Sequence, residues 1–236
     1  PQIVGDWRAT TDRERTPDEW AIHLDRFLAL KGMDIKNLSG CIIASVVPPL
    51  TDSLQEMTRK YLAVEALLVS SETHLGIPIE YPRPSEIGPD RLANAVAVGT
   101  HYGAPAFVVD FGTSTNFDVV NERGAYIGGV LAPGLETSLY ALTQRAARLF
   151  NVEFAFPPTV ISRSTATAIQ SGLMWGYVGL IEGIGARIHK ELGAPCPVVA
   201  TGGLAERLAP HTTLFTAVDP NLTVKGLYLI WERNQS

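Results

Sequence analysis

Residues 106–120 read AFVVDFGTSTNFDVV, and the rest of the chain is organised around this stretch. Four apolar residues, Ala106 to Val109, predict a buried strand that places Asp110 at its carboxyl edge. Gly112 permits a tight reversal with positive φ, and Phe117 to Val120 predict a second strand after it. The amides and hydroxyls of such a reversal can cradle phosphate oxygens, and the acid beside it can hold a cation. An ordinary hairpin with an acid at its corner accounts for the same pattern equally well.

Length, composition and charge restrict the class of protein. The chain has 236 residues, 46% hydrophobic and 18% charged, which suffices for one large or two small domains with buried cores. Its net charge of −5 argues against a nucleic-acid partner or an anionic membrane, because such surfaces usually show a basic stripe. No apolar run reaches the roughly 18 residues of a membrane span, and we expect no signal peptide. Cys41 and Cys196 lie in apolar contexts that favour free thiols. We therefore expect a cytoplasmic protein.

Apolar periodicity divides the chain into alternating strands and helices, which is typical of an α/β fold with a largely parallel sheet. Thr16, Pro17 and Glu19 have the spacing of a capping box with proline at the first helical position. The predicted strands are 2–8, 40–47, 66–69, 106–109, 117–120 and 197–200. The predicted helices are 17–32, 50–61, 89–101, 135–149, 164–191, a short one after Gly203, and 222–231.

Gly88-Pro89-Asp90-Arg91 begins the predicted helix 89–101, because proline suits the first helical position. Asp90 then lies in the first turn, where an acid complements the helix dipole by about 0.3–1 kcal/mol. The same carboxylate could instead orient a substrate hydroxyl and accept its proton. The preceding loop, 77–84, is rich in prolines that keep it extended and out of a central strand, so we expect it to lie over a cleft.

Glycines concentrate at three places where the backbone is expected to approach something closely. The three sets are Gly128, Gly129 and Gly134; Gly172, Gly176, Gly179 and Gly183; and Gly202 and Gly203. The first set fits either a ligand or a neighbouring helix. The second falls near one face of the long helix although each glycine costs about 1 kcal/mol relative to alanine, which favours a two-fold dimer contact over packing inside the subunit. The third follows a strand and precedes a helix, a common place for the base or ribose of a nucleotide.

Several other kinds of catalytic centre would leave patterns that this sequence lacks. The five histidines are scattered singly, so none has a partner at the spacing of a zinc site. No nucleophile elbow supports a Ser-His-Asp set, and no Gly-Lys-Ser or Gly-Lys-Thr of a Walker loop occurs. A purely structural protein would leave the glycine-rich edges and the acid beside the loop without a purpose.

Taken together, the spaced motifs resemble the type III pantothenate kinases, a family of the superfamily that contains actin, hexokinase and acetate kinase. The resemblance covers essentially the whole chain. Its motifs are GPDR at 88–91, DFGTST at 110–115, GGVLAPG at 128–134, Ser164-Thr165, TGGLA at 201–205 and DPNLT at 219–223. The family's usual Gly-Ala-Asp-Arg is Gly-Pro-Asp-Arg here, which fits the first turn of a helix.

The resemblance implies a kinase that transfers the γ-phosphate of ATP to the primary hydroxyl of pantothenate. The product is 4'-phosphopantothenate, and the reaction is the first step of coenzyme A biosynthesis. By the same resemblance, Asp90 accepts the proton and Asp110 binds a monovalent cation, potassium or ammonium, while Mg²⁺ accompanies ATP. The residues implied for pantothenate are Tyr81, Gly88, Pro89, Asp90, Arg91 and Thr165, and those for ATP are Gly112, Thr113, Gly202 and Gly203. The family is typically a homodimer with its pocket near the subunit interface.

The resemblance also implies a duplicated actin-like (ribonuclease H-like) fold, with two α/β domains, 1–103 and 104–236, and a cleft between them. The family opens with a strand and an Asp-x-Gly-Asn-Thr phosphate turn, and neither precedes Pro1. We expect the full-length protein to carry about 20 further residues there, since a sheet without its first strand exposes unpaired edges. Without that turn the chain should bind ligands poorly and catalyse little.

Two alternative functions stay open at this point. The first is a non-catalytic regulatory or binding member of the same family, which the absent phosphate turn favours and the presence of Asp90 and Asp110 disfavours. The second is another enzyme of the superfamily, such as an acyl-phosphate kinase or phosphatase. The proline-rich loop around Tyr81 favours pantothenate over small carboxylate acceptors.

Overall fold

The computed structural model describes residues 2–145 and 150–235. These residues form seven α-helices and seven strands, so the expected mixed α/β class is confirmed. They group into two compact units. The first unit comprises Pro1–Leu75, Arg83–Leu92 and Leu227–Ser236, and the second comprises Gly76–Pro82 and Ala93–Gly226. None of the described helices is both long enough and apolar enough to cross a membrane.

In the first unit, helix α1 (Pro17–Ala29) begins at the predicted capping box. The Glu19 amide donates to the Thr16 hydroxyl at 3.3 Å, and the Thr16 amide donates to the Glu19 carboxylate at 2.8 Å. This reciprocal pair satisfies two amides that a helix start would otherwise leave without partners. Helix α2 (Pro48–Met57) begins at two prolines and continues into a π-helical turn, Thr58–Leu62.

The strands of the first unit are shorter than predicted. Strand β1 (Ile42–Ile43) pairs in parallel with β2 (Leu67–Leu68), inside the predicted strands 40–47 and 66–69. Residues 2–8 were expected to form a strand, and that expectation is wrong, because none of them belongs to a ladder. Side-chain packing holds this segment instead, since the Trp7 ring stacks on Phe27 with centroids 6.0 Å apart.

The second unit is built on a five-stranded sheet of order β5-β4-β3-β6-β7. Its strands are β3 (Ala106–Phe111), β4 (Ser114–Val120), β5 (Tyr126–Pro133), β6 (Val198–Gly202) and β7 (Ala217–Val218). Strand β3 pairs in parallel with β6 and antiparallel with β4, and β4 pairs antiparallel with β5. The expectation of a largely parallel sheet is therefore wrong. The loops that join β3 to β4 and β4 to β5 are too short for the crossover that parallel neighbours require.

Helices cover this sheet as the periodicity predicts. The remaining helices are α3 (Pro89–His101), α4 (Leu135–Arg145), α5 (Thr165–Leu192), α6 (Ala205–Leu208) and α7 (Leu222–Arg233). Helix α5 begins at Ser164, whose hydroxyl accepts from the Thr167 amide at 3.2 Å. The predicted end of α4 at Leu149 lies outside the described residues.

Strand β3 divides its side chains between the two faces of the sheet. Phe107, Val109 and Phe111 belong to one buried cluster with Met174 and Ile181 of α5. Because strand side chains alternate, Val108 and Asp110 point to the opposite face. That face carries α3, which brings Asn94 within 2.9 Å of the Asp110 carboxylate.

Candidate active site

Asp90 lies where the sequence predicts, in the first turn of α3 in the first unit. Its carboxylate folds back over Gly88, because a Cβ at Gly88 would stand 2.5 Å from the Asp90 Oδ1. Any larger residue at position 88 would therefore displace the acid. Gly88 and Pro89 line a cleft of about 500 Å³ together with Ser45, Ser70 and Ser85. The cleft thus combines hydroxyl groups with the start of α3. Glu86 also lines it and forms an ion pair with the exposed Arg83 at 2.6 Å.

Asp110 lies in the second unit at the carboxyl end of β3, as expected. Its Oδ2 accepts from the Asn94 side-chain amide at 2.9 Å. On the other side, a Cβ at Gly202 would stand 2.8 Å from its Oδ1, so only glycine leaves room for the carboxylate there. Thr201, its neighbour on β6, is 1% exposed. The acid is thus half-buried at the edge of the sheet between α3 and β6.

The reversal at Gly112 and Thr113 is held by backbone contacts. The Gly112 amide donates to the Ser114 carbonyl at 3.0 Å, and the Thr113 carbonyl accepts from Gly134 at 3.1 Å. The expected positive φ at Gly112 is wrong, since the left-handed glycines of this unit lie elsewhere. The glycine that this turn requires is Gly134, where a Cβ would overlap the carbonyl of Thr113. Of the glycines 128, 129 and 134, which were expected to lie close to a ligand or a helix, Gly134 instead lies close to the backbone of residues 112–113.

Gly202 and Gly203 lie at the carboxyl end of β6, which pairs in parallel with β3 next to this reversal. Gly202 has φ of +87°, and a Cβ on it would meet the Phe111 backbone at 2.5 Å. The Gly203 amide donates to the Phe111 carbonyl at 3.1 Å. The structure thus brings Asp110, the 112–113 reversal and the 202–203 pair together at one end of β3 and β6.

Tyr81 lies against the start of β5, remote from this edge. Its ring stands 3.4 Å from where a Gly128 Cβ would be, and it tilts against Tyr126 with centroids 6.3 Å apart. It lines a cleft of about 420 Å³ with Gly129 of β5 and with Glu191, at the last turn of α5. Gly128 has φ of +121°, a backbone conformation that residues with a side chain rarely adopt, so its conformation favours glycine there.

Thr165 opens the first turn of α5 and lines a different cleft, of about 870 Å³. Ser138 of α4, Ser162 and Ser164 add further hydroxyl groups to it. Helix α5 separates this cleft from that of Tyr81. Ile188, near the end of α5, lines the cleft of Tyr81. With a rise of 1.5 Å per residue, Thr165 and Ile188 are about 35 Å apart along the helix. In one chain, Tyr81 and Thr165 therefore do not lie in the same cleft.

Three glycines of α5 have open space beside them in the described part of the subunit. Among residues 2–145 and 150–235, a Cβ at Gly172, Gly176 or Gly179 would have no atom within 4 Å beyond its chain neighbours and the nearby backbone of its own helix. Exposed apolar side chains lie on neighbouring elements, with Tyr140 65% exposed and Leu131 66% exposed. None of the described residues of the subunit packs against these three glycines.

Sequence reasoning missed two polar residues of this region. Asn94 is 1% exposed on the apolar face of α3, and its Oδ1 accepts from the Thr223 hydroxyl at 2.8 Å. A single asparagine among Leu92, Ala93, Ala95 and Val96 was the available signal, because a buried amide requires partners. Thr223 belongs to the DPNLT motif, whose last residue had no assigned role. No group of three or more His, Cys, Asp or Glu that could hold a metal ion occurs in the parts of the chain that the structure describes.

Comparison with known proteins agrees with the motifs. The sequence model of the type III pantothenate kinase family matches residues 1–187. The chain is 46% identical to the type III pantothenate kinase of Roseiflexus sp. (strain RS-1) over 235 residues, covering all of this chain and 92% of the relative. It is 46% identical to that of Thermomicrobium roseum over 227 residues, covering 96% of this chain and 88% of the relative.

A solved structure shares the fold. It is a Campylobacter jejuni protein described as a conserved Baf family transcriptional activator, with a TM-score of 0.59, 19% identity and coverage of 85% of this chain and 86% of that one. At this identity the likeness concerns the fold alone. The family match and the relatives establish more, because they extend over most or all of the sequence: the chain belongs to the type III pantothenate kinase family.

Proposed function

We propose that this protein transfers the γ-phosphate of ATP to the primary hydroxyl of pantothenate, giving 4'-phosphopantothenate in the first step of coenzyme A biosynthesis. The observation that carries the proposal is the 46% identity to a named type III pantothenate kinase over the whole chain. The regulatory alternative gains no support from these relatives, which bear the name of an enzyme. The absence of a described membrane-spanning helix is compatible with the proposed location in the cytoplasm.

Asp90 is the proposed proton acceptor. Phosphoryl transfer passes through a loose transition state, so that positioning and charge neutralisation supply most of the acceleration. A carboxylate that orients the hydroxyl and takes its proton late contributes about 10²–10⁴-fold. The support is the placement of the Asp90 carboxylate beside Gly88, which lines a cleft with Ser45, Ser70 and Ser85 in the first unit.

Asp110 is the proposed ligand of a monovalent cation, potassium or ammonium. The donors at this edge of the sheet fit such an ion, because carboxylate and backbone carbonyl groups supply the oxygen ligands that hard cations prefer. The half-buried Asp110 carboxylate lies beside the backbone of Gly202, where the lack of a side chain leaves room for its Oδ1. When bound, the cation would neutralise phosphate charge, and Mg²⁺ would accompany ATP as in other kinases.

Four residues are proposed to contact ATP. Gly112 and Thr113 form the reversal after β3, where a hydroxyl and backbone amides can meet phosphate oxygens. Gly202 and Gly203 form the neighbouring edge, where base or ribose can lie close to the backbone. Their support is that all four cluster at one end of β3 and β6, next to the proposed cation site.

Pantothenate is proposed to contact Tyr81, Gly88, Pro89, Asp90, Arg91 and Thr165. Thr165 begins α5, whereas Ile188, which lines the cleft of Tyr81, lies about 35 Å away along the same helix. No small substrate spans that distance, so both roles hold only when Thr165 comes from a second subunit. We therefore propose a homodimer in which the uncovered glycine face of α5 meets its counterpart.

The duplicated actin-like architecture is also a proposal. Its two α/β domains, 1–103 and 104–236, would each carry a sheet covered by helices, with the active-site cleft between them. The support is that each unit contains a sheet and helices, and the second unit is the larger. Limited proteolysis within 102–105 that releases two stable fragments would support this boundary.

A coupled ADP-release assay tests the function. The purified protein is incubated with ATP, Mg²⁺, potassium and pantothenate, and matched reactions contain acetate, propionate or no acceptor. We expect ADP release only with pantothenate, together with a product heavier by one phosphoryl group in mass spectrometry. Release with the small carboxylates instead would favour an acyl-phosphate kinase, and binding of pantothenate without ADP release would favour the regulatory alternative.

A further inference from the structure

Asn94 occupies the space between Asp110 and helix α7. It is 1% exposed, and both ends of its amide are used. Its nitrogen lies 2.9 Å from the Asp110 Oδ2, and its oxygen lies 2.8 Å from the Thr223 hydroxyl. One buried side chain therefore links β3 to α7 through hydrogen bonds.

Chemistry fixes which way this amide points. An ionised carboxylate only accepts hydrogen bonds, so the group that faces Asp110 must be the amide nitrogen of Asn94. The carbonyl then faces Thr223, whose hydroxyl must donate to it. The direction of donation runs from Thr223 to Asn94 to Asp110, and no alternative orientation satisfies both contacts.

Thr223 is itself held in place by the start of α7. Asp219 is 5% exposed and accepts from Lys225 at 2.7 Å, from Tyr102 at 3.1 Å and from the Asn221 amide at 3.1 Å. These bonds fix the first turn of the helix that carries Thr223. Asp219 and Asn221 of the DPNLT motif thus help to place Thr223, whose hydroxyl begins the series of hydrogen bonds through Asn94 to Asp110.

The other carboxylate oxygen of Asp110, Oδ1, lies close to the backbone of Gly202. This oxygen lies 2.8 Å from the position that a Cβ of Gly202 would take. A hydrogen bond on Oδ2 and a close backbone next to Oδ1 together restrict the rotation of the carboxylate. Groups that orient a ligand in this manner typically change metal affinity 10- to 100-fold when they are removed.

We propose that Asn94 is a positioning residue that holds the Asp110 carboxylate in one orientation for its cation, and that Thr223 fixes Asn94 for this task. The proposal rests on the cation role of Asp110 proposed above. Asn94 contacts neither ATP nor pantothenate and acts only through Asp110. Loss of the hydrogen bonds that run from Thr223 through Asn94 to Asp110 should raise the potassium concentration needed for half-maximal activity. It should lower turnover at saturating potassium much less.

The experiment compares Thr223→Val with Thr223→Ser and adds Asn94→Ala. Valine keeps the shape of threonine and removes the donor, whereas serine retains the hydroxyl. Lys225→Met is the matched control, because it removes one hydrogen bond of Asp219 without touching Asn94, and the bonds from Tyr102 and the Asn221 amide still hold the start of α7. Two quantities are measured: the potassium concentration that gives half-maximal activity, and the rise in melting temperature that potassium produces relative to tetramethylammonium.

We expect Thr223→Val to raise the half-maximal potassium concentration about tenfold, with Asn94→Ala at or above that value. Thr223→Ser and Lys225→Met should stay within about twofold of the unaltered protein. The potassium-dependent rise in melting temperature should shrink in the first two variants and persist in the other two. A wild-type potassium response in Thr223→Val would overturn the proposal, as would an equal loss in Lys225→Met, even if Asn94→Ala fails to fold.

Asp110→Asn separates this inference from the function beneath it. If Asp110→Asn loses the potassium response while the Thr223 and Asn94 variants keep it, the positioning role is wrong and the cation site stands. If the unaltered protein and Asp110→Asn respond alike to potassium, the cation site is wrong and the positioning role falls with it.

Discussion

Gly226 on α7 lies directly against the backbone of Ala93 on α3, because a Cβ at Gly226 would overlap the Ala93 carbonyl. This contact places α7 beside the turn of α3 that carries Asn94. Gly226→Ala should therefore lower the free energy of unfolding by about 1–3 kcal/mol, the usual effect of overpacking.

Urea denaturation measures this effect, and Gly99→Ala is its control. A Cβ at Gly99 would meet only Val120, at an ordinary 3.9 Å, so alanine there should be neutral or gain helix propensity. Equal stability of the Gly226→Ala protein and the unaltered one would show that the two helices separate easily at this contact.

Asp90→Asn should lower kcat by about 10²–10⁴-fold and leave the KM for pantothenate within a few fold, because the amide keeps the shape but cannot accept a proton. Steady-state kinetics of ADP release measures both constants. Asp18→Asn is the matched control, since Asp18 is also an acid in the first turn of a helix. If both variants turn over like the unaltered protein, Asp90 serves only the helix dipole.

Gly176→Met should dissociate the proposed dimer without unfolding the subunit. The described residues leave the space around the Gly176 Cβ position open, so we expect a larger side chain to be obstructed by the second subunit of the proposed dimer. Analytical ultracentrifugation should show a monomer, and activity should fall because Thr165 would no longer reach the partner's site. Asp25→Met, an exposed helical position on α1, should leave the dimer intact. A Gly176→Met protein that remains dimeric would move the interface to another face.

Tyr177→Phe should destabilise the second unit. The Tyr177 hydroxyl contacts the Thr115 hydroxyl and donates to the Pro133 carbonyl at 3.1 Å, and burial raises its pKa above the ordinary value. Phenylalanine removes the donor to the Pro133 carbonyl and the partner of the buried Thr115 hydroxyl, which should cost about 1–3 kcal/mol of unfolding free energy. Thermal melting measures the loss, with Tyr140→Phe at a 65% exposed position as the neutral control. Identical melting temperatures of the two variants would remove this hydroxyl from the stability of the sheet.

Cys41 and Cys196 should react slowly with thiol reagents. Both are free thiols, and burial raises the pKa of each above its ordinary value. A raised pKa means that less thiolate exists at a given pH, so the reactive form should appear at higher pH than in a free cysteine. The rate of Ellman's reagent between pH 7 and 10, measured on Cys41→Ser and Cys196→Ser, tests each thiol in turn. A rate equal to that of glutathione at pH 8 would contradict the burial of the remaining thiol.

Local sequence signals predicted many elements accurately. The capping box placed the start of α1, proline placed the start of α3, and alternation of glycine and apolar residues marked the whole of α5. These features depend on residues within one or two turns of each other, so the local chain suffices to specify them. The strand lengths in the first unit and the antiparallel half of the sheet were not predicted, because strand pairing depends on distant partners.

The sequence by itself determined the identity of the motifs, the family they belong to and the helices that carry them. Only the tertiary structure decided that Asn94 joins Asp110 to Thr223, that Gly202 leaves room for the Asp110 carboxylate and that Tyr81 and Thr165 lie in separate clefts. Asn94 and Thr223 are 129 residues apart in the chain, and no local rule brings them together. Their meeting follows from the packing of α7 on α3, where the absence of one side chain at Gly226 lets the two backbones approach.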